Sequence, residues 1–265
     1  MASVNELALE RGKRALKVLP GNVPATFTFV TISGAHLYGF PSEDSDIDLR
    51  GMHLAALRQV IGLKHYEETY ESHGGEVDGI EVDCVSHEAK KYLTLLTKKN
   101  GYVLEQIMSP LVVHDGGQLE ELRGLARAAM TKHLVHHYKG FFATQEKLCL
   151  KDPAPTAKAV LYLFRVLMTG LHALLSGEIE ANILTLNENV FHVPFIADLV
   201  ARKRAGGEFG KLNAGEFQMY YGEAKKLEAQ LDPAFEASAL PFEVQNLDAL
   251  DEFLARIRQQ PSRYR

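Results

Sequence analysis

What this sequence has little of narrows the field first. Two cysteines in 265 residues, Cys84 and Cys149, are too few for a disulfide framework and stand at no zinc-site spacing, which suits a reducing compartment. No apolar run is long enough to span a bilayer. The opening residues, MASVNELALERGKRALKVLP, alternate charged and apolar positions at helical spacing where a secretory leader would carry an uninterrupted apolar core. These absences set the expectation of a cytoplasmic protein with no membrane partner. Positive charge is not in excess either. The net charge of −5 argues against wrapping duplex nucleic acid, while a local basic groove for a short RNA end stays compatible with it. Repeats and low-complexity tracts are missing. With 46% hydrophobic and 24% charged residues, the chain has enough core for one large domain or two modest ones.

The pattern changes along the chain. Residues 2–18 read as a helix that Pro20, Gly21 and Pro24 end. Thr26–Ser33 is β-branched and aromatic and reads as a strand; Gly34 stops it, and a short helix or turn follows. Pro41–Asp46 is a polar loop, Ile47–Leu54 a second strand, and Gly79–Val85 a third. His65–Asp78 between them reads as a connection or hairpin. A helix ends near Asn100, then Tyr102–Met108 reads as another and Leu111–His114 as a short strand. After Gly116-Gly117 the pattern is almost wholly helical, over 118–148, 156–176, 194–204, 214–230 and 247–259. We therefore expect an α/β (α+β) domain over residues 1–116 and a helical domain over 117–265.

The stretch that carries chemistry is Ser33–Gly51, SGAHLYGFPSEDSDIDLRG. Residues two apart on a strand share a face, so Asp46 and Asp48 project together with Ile47 turned inward. Two carboxylates that close repel unless a cation relieves them. Hard oxygen donors suit Mg²⁺, with Mn²⁺ as an alternative. A third carboxylate on a neighbouring strand would complete a two-metal site. Glu81 and Asp83 are both placed for it; Asp83, flanked by Val82 and Cys84, is preferred and Glu81 held in reserve. An isolated Asp-x-Asp means little. The order strand, glycine turn with Gly34 and Gly39, short helix, then Ser45-Asp46-Ile47-Asp48 is far more specific. Its glycines let backbone N–H groups approach a triphosphate.

These residues resemble the signature of the DNA polymerase β-like nucleotidyltransferase superfamily. Ser33-Gly34 with Tyr38-Gly39, and Ser45-Asp46-Ile47-Asp48-Leu49-Arg50-Gly51, most resemble its RNA-repair-associated, RlaP-type branch. Asp83 with Ser86-His87, and His136-His137-Tyr138-Lys139-Gly140, fit the same branch. The resemblance implies a mixed-sheet palm with a helical domain beside it. It implies nucleotide transfer from an NTP to an acceptor hydroxyl with release of pyrophosphate, the acceptor being an RNA 3′ end such as tRNA or broken RNA. Carried over by residue, Gly34 is the phosphate-loop glycine, Asp46 and Asp48 the metal pair, and Asp83 the third carboxylate. One departure stands out: the serine usual after the glycine is Ala35, which leaves Ser33 as the nearby hydroxyl.

Other groups support this with blander readings beside them. Lys158, Tyr162 and Arg165 fall at i, i+4 and i+7, a stripe that would hold outer phosphates and stack a base, or else a solvated helix face. His133 and His137 have i, i+4 spacing without a third zinc ligand. Arg202-Lys203-Arg204 reads as an RNA-backbone contact or a solvated helix end, and Lys90 and Lys91 as cleft or surface cations. Arg50 is placed to enter the cleft or to bind a neighbouring acid. Two further functions stay open: transfer to a small-molecule or protein hydroxyl, and a non-catalytic nucleotide- or RNA-binding module.

Overall fold

The computed structural model describes residues 3–24, 26–206 and 210–259. Its strands are β1 (Thr26–Ile32), β2 (Ile47–Leu54), β3 (Thr69–Val77), β4 (Ile80–Glu88) and β5 (Val112–Asp115). They form one mixed sheet in the order β3-β4-β2-β1-β5. β2 and β4 run parallel, and the other pairs are antiparallel. The α+β class expected from the sequence is found.

The chain divides into two compact units. The first comprises Met1–Leu37, Asp44–Ala129 and Val244–Arg265; the second comprises Tyr38–Glu43 and Met130–Glu243. This differs from the continuous division at residue 116. The expected helix over 118–148 is two helices, α6 (Leu119–Ala128) and α7 (Leu134–Lys151), and the boundary between units falls in the gap. No glycine or proline marks that gap, so helical periodicity alone runs through it. α6 belongs to the first unit: Arg123 donates to the Ile107 and Ser109 carbonyls at 3.0 and 2.8 Å. They lie at and just past the end of α5 (Gly101–Met108).

In the first unit, helix α1 (Val4–Leu16) starts from a capping box in which Ser3 and Glu6 satisfy each other's backbone N–H. It lies on one face of the sheet. Ala8 and Ala15 pack there with Val30, Ile32, Ile47, Leu49, Val82 and Cys84. A Cβ at Gly12 would stand 3.0 Å from Val113 and 3.3 Å from Leu49, so the bare glycine sets how closely the helix approaches. The short helices α2 (Gly34–Tyr38) and α3 (Leu57–Ile61) follow β1 and β2. On the face opposite α1 the Phe29 ring meets Tyr92 of α4 (Ala89–Thr97) edge-on at 5.5 Å.

The segment 65–78, read as a connection or hairpin, supplies one strand, β3, and it forms a hairpin with β4. Val77 pairs with Ile80 across Asp78-Gly79, both residues at positive φ, as a two-residue type I′ turn demands. Arg14 holds Asp78 from α1, with Nη1–Oδ1 at 3.1 Å.

The C-terminal helix α13 (Leu247–Gln259) also belongs to this unit. Arg258 pairs with the fully buried Glu88 at 2.7 Å. Arg256 pairs with Glu121, and the Asn246 amide donates to the Leu125 carbonyl at 2.9 Å.

The second unit is built round α8 (Ala157–Ser176), capped by Thr156 at its start and by left-handed Gly177 at its end. α7, α10 (Ile196–Ala205), α11 (Ala214–Glu228) and α12 (Leu231–Ala237) pack around it. α8 is long and apolar enough to cross a bilayer, contrary to the sequence expectation; most of it is buried inside the fold, as for a core helix. The short helix α9 (Ile183–Leu186) and the π-helical turn at Asn187–Phe191 have no counterpart in the sequence reading.

Candidate functional site

The carboxylates gather on the sheet of the first unit by strand register. β2 and β4 pair with Ile47 opposite Val82, Asp48 opposite Asp83 and Leu49 opposite Cys84. Ile47, Leu49, Val82 and Cys84 are buried in the core against α1. Alternation then turns Asp48 and Asp83 to the other face, side by side and each 29% exposed. Asp46 is exposed immediately before β2. Glu81 lies two residues before Asp83 and is exposed. Asp83, not Glu81, is thus the carboxylate directly opposite Asp48.

Gly34 follows β1 and has φ +59, a conformation side chains resist. A Cβ built on it would come within 3.0 Å of the Asp48 Cγ and run into Oδ2. Its lack of a side chain is therefore a requirement of Asp48 as well as of the turn. Ser33, mostly buried, donates its backbone N–H to the Asp48 carbonyl at 2.8 Å and so extends the ladder to the glycine.

Repulsion within this group is relieved by the protein itself. Arg50, two residues along β2 on the same face, donates through Nη2 to Asp48 Oδ1 at 2.7 Å and through Nη1 to the Leu49 carbonyl at 2.8 Å. Of the two roles open for Arg50, binding a neighbouring acid is the one found. Asp83 is held from the edge strand. The β3–β4 register shifts between Ser72 and Gly75, leaving His73 and Gly74 as a bulge. The Gly74 N–H donates to Asp83 Oδ1 at 3.1 Å, and His73 Nδ1 lies 3.4 Å from Oδ2. The sequence reading did not single out His73 or Gly74. Their signal was the run His73-Gly74-Gly75 inside a hairpin, where paired glycines mark a bulge.

Part-exposed carboxylates side by side on one face suit a hard divalent cation in donor type. Among the described residues no three metal-ligating side chains already surround one point; Asp48 and Asp83 are turned to Arg50 and to His73-Gly74 instead. The donor set fits a divalent ion by chemistry and register, and would have to exchange these partners to hold it.

The stripe expected at Lys158, Tyr162 and Arg165 is not a stripe facing solvent. Lys158 is exposed, but Arg165 is fully buried in the second unit. Its guanidinium lies 4.0 Å from the Tyr38 ring centre, 4.9 Å from Phe141 and 5.9 Å from Tyr162. The Tyr162 ring meets Tyr38 and Phe40 edge-on at 5.9 and 5.6 Å. Burial, and secondarily the charge of Arg165, pushes the pKa of the neighbouring His137 down to about 4. The i, i+4, i+7 spacing was right as geometry, but α8 is buried nearly all round, so sharing a face did not mean reaching solvent.

Arg202-Lys203-Arg204 is likewise engaged. Arg202 pairs with Glu216 at 2.8 Å. Lys203 donates to the Ser42 hydroxyl at 2.7 Å, and Arg204 to the Pro41 and Gly39 carbonyls. Arg204 stays exposed, as a solvated helix end would, yet Lys203 and Arg204 both hold the Gly39–Ser42 loop in the second unit. Lys91 donates to the Thr69 hydroxyl, which is bonded to His87 at 2.9 Å.

An uncharacterised protein of Methanocaldococcus jannaschii is 35% identical over 154 residues, covering 58% of this chain and 63% of that protein. An uncharacterised protein of Bacillus subtilis, YcgL, is 26% identical over 200 residues, 73% of this chain and 75% of its own. A crystal structure of a nucleotidyltransferase-like protein from Exiguobacterium sibiricum aligns at TM-score 0.33 with 9% identity, over 96% of this chain and 75% of that one. At that likeness the fold rests on the strands and register described above. The family model for the RNA repair pathway DNA polymerase beta family, RlaP, matches residues 1–256, and the chain belongs to that family.

Proposed function

We propose that this protein transfers a nucleotide from an NTP to the 3′ hydroxyl of an RNA, releasing pyrophosphate. The observation that supports this best is the register of Asp48 against Asp83, beside a glycine that must be bare for Asp48 to sit where it does. Asp46, Asp48 and Asp83 are the residues that would hold magnesium or manganese. Such an ion, when bound, supplies charge stabilisation for the phosphoryl oxygens and the leaving group.

The chain's own groups set up the rest. Gly34, without a side chain, leaves Asp48 room beside the turn whose backbone would meet a phosphate oxygen. Ile47, Leu49, Val82 and Cys84, locked in the core, fix the strand positions from which the carboxylates project. Positioning to this degree is where most of the catalysis in phosphoryl transfer resides. Family membership supports a nucleotidyltransferase, and its RNA-repair association supports RNA as the acceptor.

The test is incubation of the purified protein with each labelled NTP, Mg²⁺ or Mn²⁺, and total RNA. Label entering RNA, and lost in Asp46→Asn and Asp48→Asn, is the expected outcome. Label on protein or a small molecule would move the acceptor to another hydroxyl. Undetectable transfer to any acceptor, by protein that binds NTP, would leave a binding module.

A further inference from the structure

Arg50 occupies Asp48 in the structure. We infer that Arg50 is a displaceable counter-ion of the carboxylate group, a positioning residue that keeps Asp48 charge-balanced without metal and sets the affinity for the divalent ion that takes its place. This rests on the metal reading of Asp48 just given.

The geometry carries the argument. Arg50 and Asp48 are two apart on one strand, so their side chains share a face whatever else moves. Nη2 lies 2.7 Å from Asp48 Oδ1, while Nη1 is anchored 2.8 Å from the Leu49 carbonyl. The guanidinium is thus tethered to its own backbone and reaches Asp48 with its free arm. Both side chains are part-exposed, 23% and 29%, so exchange with water or an incoming ion does not require opening the core. A part-exposed pair of this kind contributes little, as a partner that must yield should. A cation arriving at Asp48 meets two costs from Arg50. It must break the Arg50–Asp48 hydrogen bond, and it feels the repulsion of a guanidinium that cannot lose its charge. The contacts of Asp83 come instead from the bulge on β3.

The test is manganese binding, followed by the electron paramagnetic resonance of free Mn²⁺, with no nucleotide and no turnover. Wild type, Arg50→Gln, Arg50→Lys and Asp48→Asn are compared, with melting curves as the check on folding. Arg50→Gln should bind Mn²⁺ about fivefold more tightly, the equilibrium weight of a part-exposed ion pair. Arg50→Lys keeps the charge but loses the two-armed geometry and should bind about twofold more tightly. A purely structural Arg50 gives unchanged or weaker binding in both, and that result overturns the inference. Should Arg50→Gln fail to fold, Arg50→Lys decides alone by the same sign. Asp48→Asn should lose the site. If it binds as wild type does, the metal reading itself falls, and the counter-ion role with it. Loss in Asp48→Asn without tightening in the Arg50 variants rejects only the counter-ion role.

Discussion

Gly34→Ala is the most informative single change, because two separate costs fall on one methyl group. The backbone at Gly34 has φ +59. Holding alanine there costs about 1–2 kcal/mol, which for a unit of this size lowers the melting temperature by several degrees. The second cost falls on the site. The new Cβ would stand 3.0 Å from the Asp48 Cγ and overlap Oδ2, so the carboxylate must move by about 1 Å, a displacement that costs on the order of a hundredfold in rate. The assay is single-turnover incorporation of labelled nucleotide beside a thermal melt. The expected result is a drop of several degrees with about a hundredfold loss of transfer, far more than the small loss of folded protein explains. Wild-type turnover in a folded Gly34→Ala protein would refute the argument, since Asp48 would then be shown to work from another position.

Three further outcomes follow from the geometry. Asp83→Asn should abolish transfer while Glu81→Gln is milder, because Asp83 faces Asp48 across the strand pair; the reverse order in the same assay would mean the wrong carboxylate was chosen. Arg165→Ala should destabilise the second unit on denaturant unfolding, since it removes a fully buried group packed on three rings, whereas Lys158→Ala should leave stability within about 0.5 kcal/mol and show any effect in an NTP titration. Stability should fall on acidification from pH 6.5 towards 4. Burial, and secondarily His87, pushes His53 down to about 4, and burial with Arg165 does the same to His137. The unfolded chain then binds protons that the folded one refuses, at up to about 1.4 kcal/mol per pH unit for each group. His53→Asn should make the decline shallower, and an unchanged slope between pH 7 and 5 would reject the buried neutral state.

The sequence was legible where side-chain alternation meets a core on one face only. β2 and β4 read correctly because Ile47, Leu49, Val82 and Cys84 are buried and the residues between them are acidic, and that same alternation placed Asp48 with Asp83. Legibility failed where the structure depends on a partner distant in sequence. Nothing near His73-Gly74-Gly75 says that a bulge there will face Asp83. Nothing in the spacing of Arg165 says that Tyr38 and Phe141 will cover it. Arg204 is solvated as its charge suggests, but nothing in its neighbourhood says that the carbonyls of Pro41 and Gly39 will also accept it. α13 looked like one more helix of a helical domain, because amphipathic periodicity states that a helix has a partner and not which one. The glycine–carboxylate signature survived because its residues are near neighbours, on elements that follow one another directly.

The return of α13 to the sheet also fixes an order of assembly on the ribosome. The long segment of the second unit, Met130–Glu243, emerges before residues 247–259 do. The first unit, begun earlier, waits for Arg258 before Glu88 has its ionic partner. A carboxylate buried without one is costly, so the nascent sheet has reason to stay open around Glu88 while the intervening helices fold. The first unit therefore closes around Glu88 only once α13 is clear of the ribosome and docked, after Met130–Glu243 has been synthesised.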